Sequence, residues 1–120
     1  MSRIQSRENA FKIIYSKLYV EEEQISPIEE IDDFCALLVS TFNDNIDELK
    51  QKISANLKGT TIDRIYKIDL ALIYLALTEI LYIKDSQFKI VINEVVNMAK
   101  KYSTDKSPKF INGFLAGLVK

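Results

Sequence analysis

Two arginines near the start of the chain have the spacing needed to bind phosphate. Arg3 and Arg7 stand four residues apart, so a helix would project them side by side from adjacent turns. Guanidinium groups in that arrangement can hold a phosphate backbone, although solvated arginines are the ordinary alternative. Tyr15 and Tyr19 repeat the same spacing, and packing at the edge of a core is their ordinary role. The first candidate chemistry is therefore binding to a polyanion.

The distribution of charge indicates the same chemistry. The net charge is only −1, but residues 1–20 carry four bases and one acid, and residues 84–120 carry seven lysines and three acids. Residues 21–48 carry ten acids and no base. A solvated surface would explain this pattern. The sharper hypothesis is that both basic ends converge on one face that attracts phosphate.

Several classes of chemistry lack the residues they need. Histidine is absent, which removes Ser–His and Cys–His nucleophiles and most zinc sites. No phosphate-binding glycine loop or dinucleotide fingerprint is present. Cys35, the single cysteine, is expected to be an inert buried thiol. We therefore predict no enzymatic activity, no cofactor and no metal site.

The central element is an apolar segment at about residues 69–83, DLALIYLALTEILYI. Its apolar side chains surround the helix instead of forming one stripe, which is typical of a helix enclosed by neighbours. It is too short for a transmembrane span, so we expect no membrane association. No signal peptide is recognisable at the start, and a reducing cytoplasm fits the single cysteine.

The remaining periodicity is helical, and no strand pattern is present. Helices are predicted over residues 2–22, from a Ser26 cap to Leu57 with a break or kink at residues 43–45, and from Thr60 or Thr61 through Arg64. Two more are predicted at about residues 88–102 and from Ser107 onward. The prediction is an all-α single domain over residues 1–120, a compact bundle of six or seven helices around the central one.

Three stretches of the second half resemble the NusB family of transcription antitermination factors. They are DLALIYLALTEIL, FKIVINEVVNMAKKY and KFINGFLAGL. The Ile-Asn-Glu motif falls at residues 92–94 and the Lys-Phe-Ile-Asn-Gly motif at residues 109–113. Residues 7–10, Tyr15 and the Asp63–Arg64 pair also match the family's pattern.

This resemblance implies a seven-helix fold of two packed sub-bundles and no catalysis. It also implies binding to boxA-type single-stranded leader RNA of ribosomal RNA operons, together with NusE, a small-subunit ribosomal protein. The complex would then join RNA polymerase and suppress premature termination. Whether the protein is a monomer or a homodimer stays open.

The resemblance also implies roles for particular residues. RNA contacts are expected from Arg3, Arg7, Tyr15, Asp105, Lys106, Lys109 and Phe110. In this scheme the cations hold phosphates, Phe110 stacks on a base or packs in the core, and Asp105 accepts a hydrogen bond from a base. NusE would use another side of the molecule, with Asp63, Tyr66 and Asp69 as candidates. Asn93, Glu94 and Asn112 are expected to bridge neighbouring helices.

The alternative is a NusB-like helical module that binds proteins without RNA sequence specificity of its own. The N-terminal domain of certain ribosomal RNA methyltransferases resembles this fold. An RNase-insensitive protein interaction would favour that alternative, whereas discrimination between boxA and scrambled RNA would favour the antitermination factor.

Overall fold

The computed structural model describes residues 2–19 and 31–119. Within these ranges the chain forms five α-helices: α1 (Arg3–Tyr19), α2 (Asp33–Asn56), α3 (Lys67–Thr78), α4 (Phe88–Tyr102) and α5 (Ser107–Val119). A short 3₁₀ turn spans Ile62–Arg64, and a π-helical turn spans Glu79–Ile83. The all-α prediction is confirmed, while these ranges hold fewer α-helices than the six or seven expected.

The central helix α3 lies where the apolar segment predicted it. Every residue from Asp69 to Thr78 is buried, and α3 contacts α1, α2, α4 and α5. Leu and Ala dominate the segment, and both favour helix. The sequence predicted one helix over residues 69–83, whereas the structure ends the α-helix at Thr78 and continues as the π turn. The long apolar run is thus the core around which the other helices pack.

Helix α2 differs from the prediction at its start and in its middle. It continues as one α-helix through residues 43–45, so the interruption considered there is absent. The Asp32 side chain caps it by accepting a hydrogen bond from the Cys35 backbone N–H at 3.0 Å, as N-cap aspartates do. The predicted start at Ser26 lies outside the described residues.

A second hydrogen bond joins the Asp32 cap to α1. The Ser6 hydroxyl donates to the Asp32 carboxylate. This bond lowers the pKa of Asp32, because it favours the ionised carboxylate, and the Cys35 backbone N–H acts in the same direction. The cap thereby fixes the start of α2 against the first turns of α1.

The segment between α2 and α3 reverses the chain. Gly59 adopts a φ of +75°, the left-handed conformation predicted for the glycine that ends a helix. Thr61 precedes the 3₁₀ turn at Ile62–Arg64, without a side-chain capping hydrogen bond. This reversal places Arg64 and Tyr66 next to the start of α3, where both are exposed.

Among the described residues, no helix combines the length and the apolar character required to cross a membrane.

Candidate nucleic-acid interface

Arg7, a predicted phosphate ligand, belongs to the core of the protein. It is 4% exposed, and its Nε and Nη2 donate to Glu79 Oε1 and Oε2 at 2.7 Å each. This bidentate hydrogen bonding raises the pKa of Arg7, and Glu79 is itself 1% exposed. The expectation that Arg7 projects beside Arg3 to hold a phosphate is therefore wrong: its donors are directed at Glu79.

Arg3 stays on the surface at the same end of the molecule. Its guanidinium lies 3.2 Å from the Asp85 carboxylate and 3.6 Å above the centre of the Phe34 ring. The Arg3 side chain is 56% exposed, so phosphate could compete with Asp85 for it. A role for Arg3 in RNA binding stays a prediction.

The turn before α5, in the C-terminal basic segment, is fixed at the opposite end of α3. The Asp69 carboxylate accepts hydrogen bonds from the hydroxyls of Ser103 and Ser107, the latter at 2.9 Å. Ser107 also accepts from the Thr104 backbone N–H at 3.2 Å. These bonds attach the turn before α5 to the first turn of α3. Asp69 is 5% exposed, so its carboxylate positions that turn.

Arg7 and the turn before α5 are therefore held at opposite ends of α3, although the two basic ends meet where Lys101 Nζ lies 3.0 Å from Glu8 Oε1. Arg7 is bound at Glu79, and the α5 turn is bound at Asp69, ten residues earlier. Ten residues of helix span about 15 Å. The hypothesis that Arg7 converges with the C-terminal lysines on one face is accordingly wrong, because the fold uses Arg7 internally at the far end of α3.

A different group of residues surrounds Phe110. A pocket of about 260 Å³ brings Lys106 and Phe110 together with Arg64 and Tyr66. A neighbouring groove of about 550 Å³ brings Lys109 and Phe110 together with Lys58. We call this set the Phe110 surface, and it consists of Lys58, Thr60, Arg64, Tyr66, Lys106, Lys109 and Phe110.

The composition of the Phe110 surface suits an unpaired nucleic acid. All four of its cations are exposed. Two aromatic rings are available beside them, since Phe110 is 37% and Tyr66 is 52% exposed. The Phe110 ring also stacks against Phe114, with centroids 6.2 Å apart. Exposed aromatic faces among cations are the arrangement that single-stranded nucleic-acid sites use.

The position of Tyr66 corrects one feature of the sequence-based scheme. Tyr66 and Asp69 were expected on another side of the molecule, yet they line the same pocket as Lys106 and Phe110. Asp63 is exposed and lines a separate cavity of about 480 Å³ between α1, α2 and α3. The candidate RNA and partner surfaces are thus adjacent, with Tyr66 among the residues of the first.

Sequence reasoning missed Lys58, Thr60 and Arg64. The available signal was the Gly59 turn, because a left-handed glycine at the end of α2 reverses the chain and carries its flanking residues back toward α3. No local sequence pattern indicated that the turn before α5 would lie beside these three residues, since that arrangement depends on the Asp69 hydrogen bonds.

Tyr15 and Asp105 complete the set of predicted RNA ligands. Tyr15 is half-buried and its ring lies 6.3 Å from Phe11 and 5.6 Å from Tyr19, measured between centroids. Lys67 Nζ lies 4.9 Å from the centre of the Tyr19 ring, so this end of α1 is near the start of α3. Asp105 is exposed in the turn before α5. Their contacts with RNA stay predictions.

Comparisons with known proteins agree with this architecture. The sequence model of the NusB family matches residues 4–120. The transcription antitermination protein NusB of Finegoldia magna is 36% identical over 130 residues, covering 100% of this chain and 95% of the relative.

Solved structures show the same fold. T. maritima NusB superposes with a TM-score of 0.85 at 26% identity, covering 98% of this chain and 90% of that one. A crystal structure of the antitermination factors NusB and NusE with double-stranded RNA superposes with a TM-score of 0.79 at 26% identity, covering 98% and 97%. Together with the sequence match, these likenesses establish that the chain belongs to the NusB family.

Proposed function

We propose that this protein is a transcription antitermination factor that binds boxA-type single-stranded leader RNA of ribosomal RNA operons together with NusE. It would then join the RNA polymerase antitermination complex in the cytoplasm. It acts by binding and not by catalysis. Family membership supports the proposal, and the observation that carries it is the Phe110 surface, where exposed aromatic rings stand among four cations.

The chemistry of that surface suits unpaired RNA. The bases of a single strand are free to stack, and the exposed face of Phe110 offers a stacking platform. Lys106 and Lys109 hold the phosphates on either side of that base. Arg64 and Lys58 extend the positive surface toward the end of α2. Such a site binds through charge and stacking, so its affinity should fall steeply with salt.

The remaining candidates have supporting roles in this proposal. Asp105 accepts a hydrogen bond from a base amino group beside Phe110. Tyr15 flanks the RNA at the same end of α3. Arg3 contacts RNA that extends toward Asp85. Arg7 is not an RNA ligand in this proposal, because it is 4% exposed and its Nε and Nη2 donate to Glu79.

NusE would bind beside the RNA. The cavity that Asp63 lines has apolar walls from Leu18, Ile46 and Leu70, so it can receive an apolar side chain of a partner. Tyr74 also lines this cavity, and burial raises its pKa to about 12. Tyr66, between this cavity and the RNA site, would contact both ligands.

One observation favours the alternative, a helical protein-binding module without RNA sequence specificity. The fold uses Arg7 internally, so the N-terminal pair expected to grip phosphate is reduced to Arg3. An association with NusE that persists after RNase treatment, without any preference for boxA, would support that function.

A gel-shift titration separates the two functions. Purified protein, with and without NusE, is titrated against a boxA oligonucleotide and against a scrambled oligonucleotide of the same composition. The proposal predicts tighter binding to boxA, and tighter still with NusE present. Equal affinities for the two oligonucleotides would exclude sequence-specific antitermination.

A further inference from the structure

The asparagines of the two sequence motifs are not used by the fold. Asn93 and Asn112 were expected to bridge neighbouring helices, yet both are exposed. Within residues 2–19 and 31–119, no hydrogen bond engages either side-chain amide. A carboxamide that packing does not require is free to bind a ligand.

Asn93 and Asn112 line one groove. The groove runs between α4 and α5, has a volume of about 320 Å³, and has aliphatic walls from Ile92, Val96 and Ala116. Phe88 also lines it. It shares no lining residue with the Phe110 surface, so it is distinct from the proposed RNA site.

The charged side chain in the lining of the groove is a lysine. Lys89 lies in its lining, which contains no carboxylate. Lys100 stands eleven residues after Lys89 on α4, which returns it to the same helix face. Lys89 and Lys100 are both exposed, so the groove attracts an anionic ligand.

The form of the groove favours a polypeptide over RNA. Its floor is aliphatic, which suits a branched apolar side chain and offers little aromatic face for base stacking. An asparagine amide presents one acceptor and two donors, which match the C=O and N–H of a peptide unit. Two amides in one groove can therefore bind an extended backbone. The lysines of the groove then favour a backbone that carries acidic side chains.

We infer that the groove between α4 and α5 docks an extended, acidic segment of a partner protein. Asn93 and Asn112 bind its backbone, the aliphatic floor receives one apolar side chain, and the lysines pair with flanking carboxylates. This surface is additional to the proposed RNA and NusE sites, so RNA-binding variants should leave it intact.

A random twelve-residue peptide display library tests the inference. Peptides are selected on the intact protein, and the affinity of the enriched sequence is then measured by fluorescence anisotropy. We expect enrichment of Asp and Glu around one aliphatic residue. The double variant Asn93→Ala/Asn112→Ala should weaken binding about tenfold, since two hydrogen bonds are lost. Lys89→Glu should weaken it similarly.

Matched controls locate the binding. Asn97→Ala changes an exposed asparagine of α4 outside the groove, and Lys52→Glu reverses an exposed lysine of α2. Both should bind the peptide as the unchanged protein does, and so should Phe110→Ala. A library that enriches no peptide, or enriches basic or uncharged ones, overturns the inference, and so does equal binding by the double variant.

The other possible occupants give distinct results in a ¹⁵N NMR titration. If a boxA oligonucleotide shifts the side-chain amide signals of Asn93 and Asn112, the groove is a nucleic-acid site. If raising the protein concentration shifts them, the occupant is a second copy of this chain. Either result overturns the inference, whereas shifts caused only by the acidic peptide support it.

Discussion

Arg7 and Glu79 form a bidentate ion pair inside the protein, although 72 residues separate them in sequence. Both N–H···O distances are 2.7 Å. The pair ties α1 to the point where α3 gives way to the π turn. Arg3, one turn earlier, bonds to Asp85 just beyond that turn. The N-terminal arginines thereby hold the far end of the core helix.

The first prediction concerns stability. Arg7→Ala should destabilise the protein by about 3–5 kcal/mol, because it leaves the buried Glu79 carboxylate without a partner. Urea denaturation followed by circular dichroism measures the change. Replacing both members, Arg7→Met/Glu79→Leu, should recover much of the loss, since no uncompensated charge remains.

The same variants separate a structural Arg7 from an RNA ligand. The double variant should bind boxA RNA with an unchanged salt dependence. If Arg7→Ala instead keeps full stability and loses RNA affinity, then Arg7 leaves Glu79 to bind phosphate, and the structural assignment fails.

The second prediction concerns the lysines of the Phe110 surface. Lys106→Ala/Lys109→Ala should reduce the slope of log affinity against log salt by about 1.4, which corresponds to two phosphate contacts on a single strand. Lys52→Ala on α2 removes an exposed lysine elsewhere and should leave the slope unchanged. Equal slopes for all three proteins would place the RNA away from these lysines.

The third prediction concerns stacking on Phe110. Phe110→Ala should cost about 1–3 kcal/mol of RNA binding, the usual loss when a base-stacking ring is removed. Phe110→Tyr keeps an aromatic face and should retain most of the affinity. The free energy of unfolding is measured for both, because Phe110 also stacks on Phe114. An RNA affinity unaffected by Phe110→Ala would assign that ring to packing alone.

The fourth prediction concerns pH and the cap of α2. The Ser6 hydroxyl lowers the pKa of Asp32 in the folded protein. The folded state thus binds fewer protons than the unfolded state. The contribution of ionised Asp32 to the free energy of unfolding is present at pH values above the pKa of the unfolded state, about 3.9. It is lost as the pH falls through the pKa of Asp32 in the folded state. Ser6→Ala should raise the pKa of Asp32 toward its ordinary value, as measured by NMR titration of the carboxyl carbon.

The control for this prediction is Ser16→Ala. Its hydroxyl bonds the backbone carbonyl one turn earlier in α1 and no carboxylate. The pKa of Asp32 should not change in that variant. An Asp32 that titrates at its ordinary pKa in the unchanged protein would contradict the proposed hydrogen bond.

The core of this fold was predictable because its signal is local. A segment with apolar residues on every side can only be buried, and α3 lies within that segment. The π turn was not predictable, because Glu79 at its start is held by a partner in α1. Glu79 did carry a usable signal: a charged residue inside a buried helix requires a buried partner.

The candidate site was less predictable, because it depends on contacts between distant segments. Lys109 and Phe110 were identified from a family motif and Lys106 as a lysine before the last helix. The structure groups Phe110 with Lys106 in one pocket and with Lys109 in the next. Lys58 and Arg64 join them through the Gly59 turn and the Asp69 hydrogen bonds, which sequence spacing does not reveal. Arg7 looked like a ligand because helical spacing shows which residues share a face, but not what that face contacts.

Photo-crosslinking tests the location of the RNA site most directly. A boxA oligonucleotide that carries 4-thiouridine is irradiated with the protein and NusE, and the crosslinked peptides are identified by mass spectrometry. The Phe110 surface predicts crosslinks within residues 58–66 and 104–110. Crosslinks confined to the region around Arg3, Phe34 and Asp85, at the other end of α3, would contradict it.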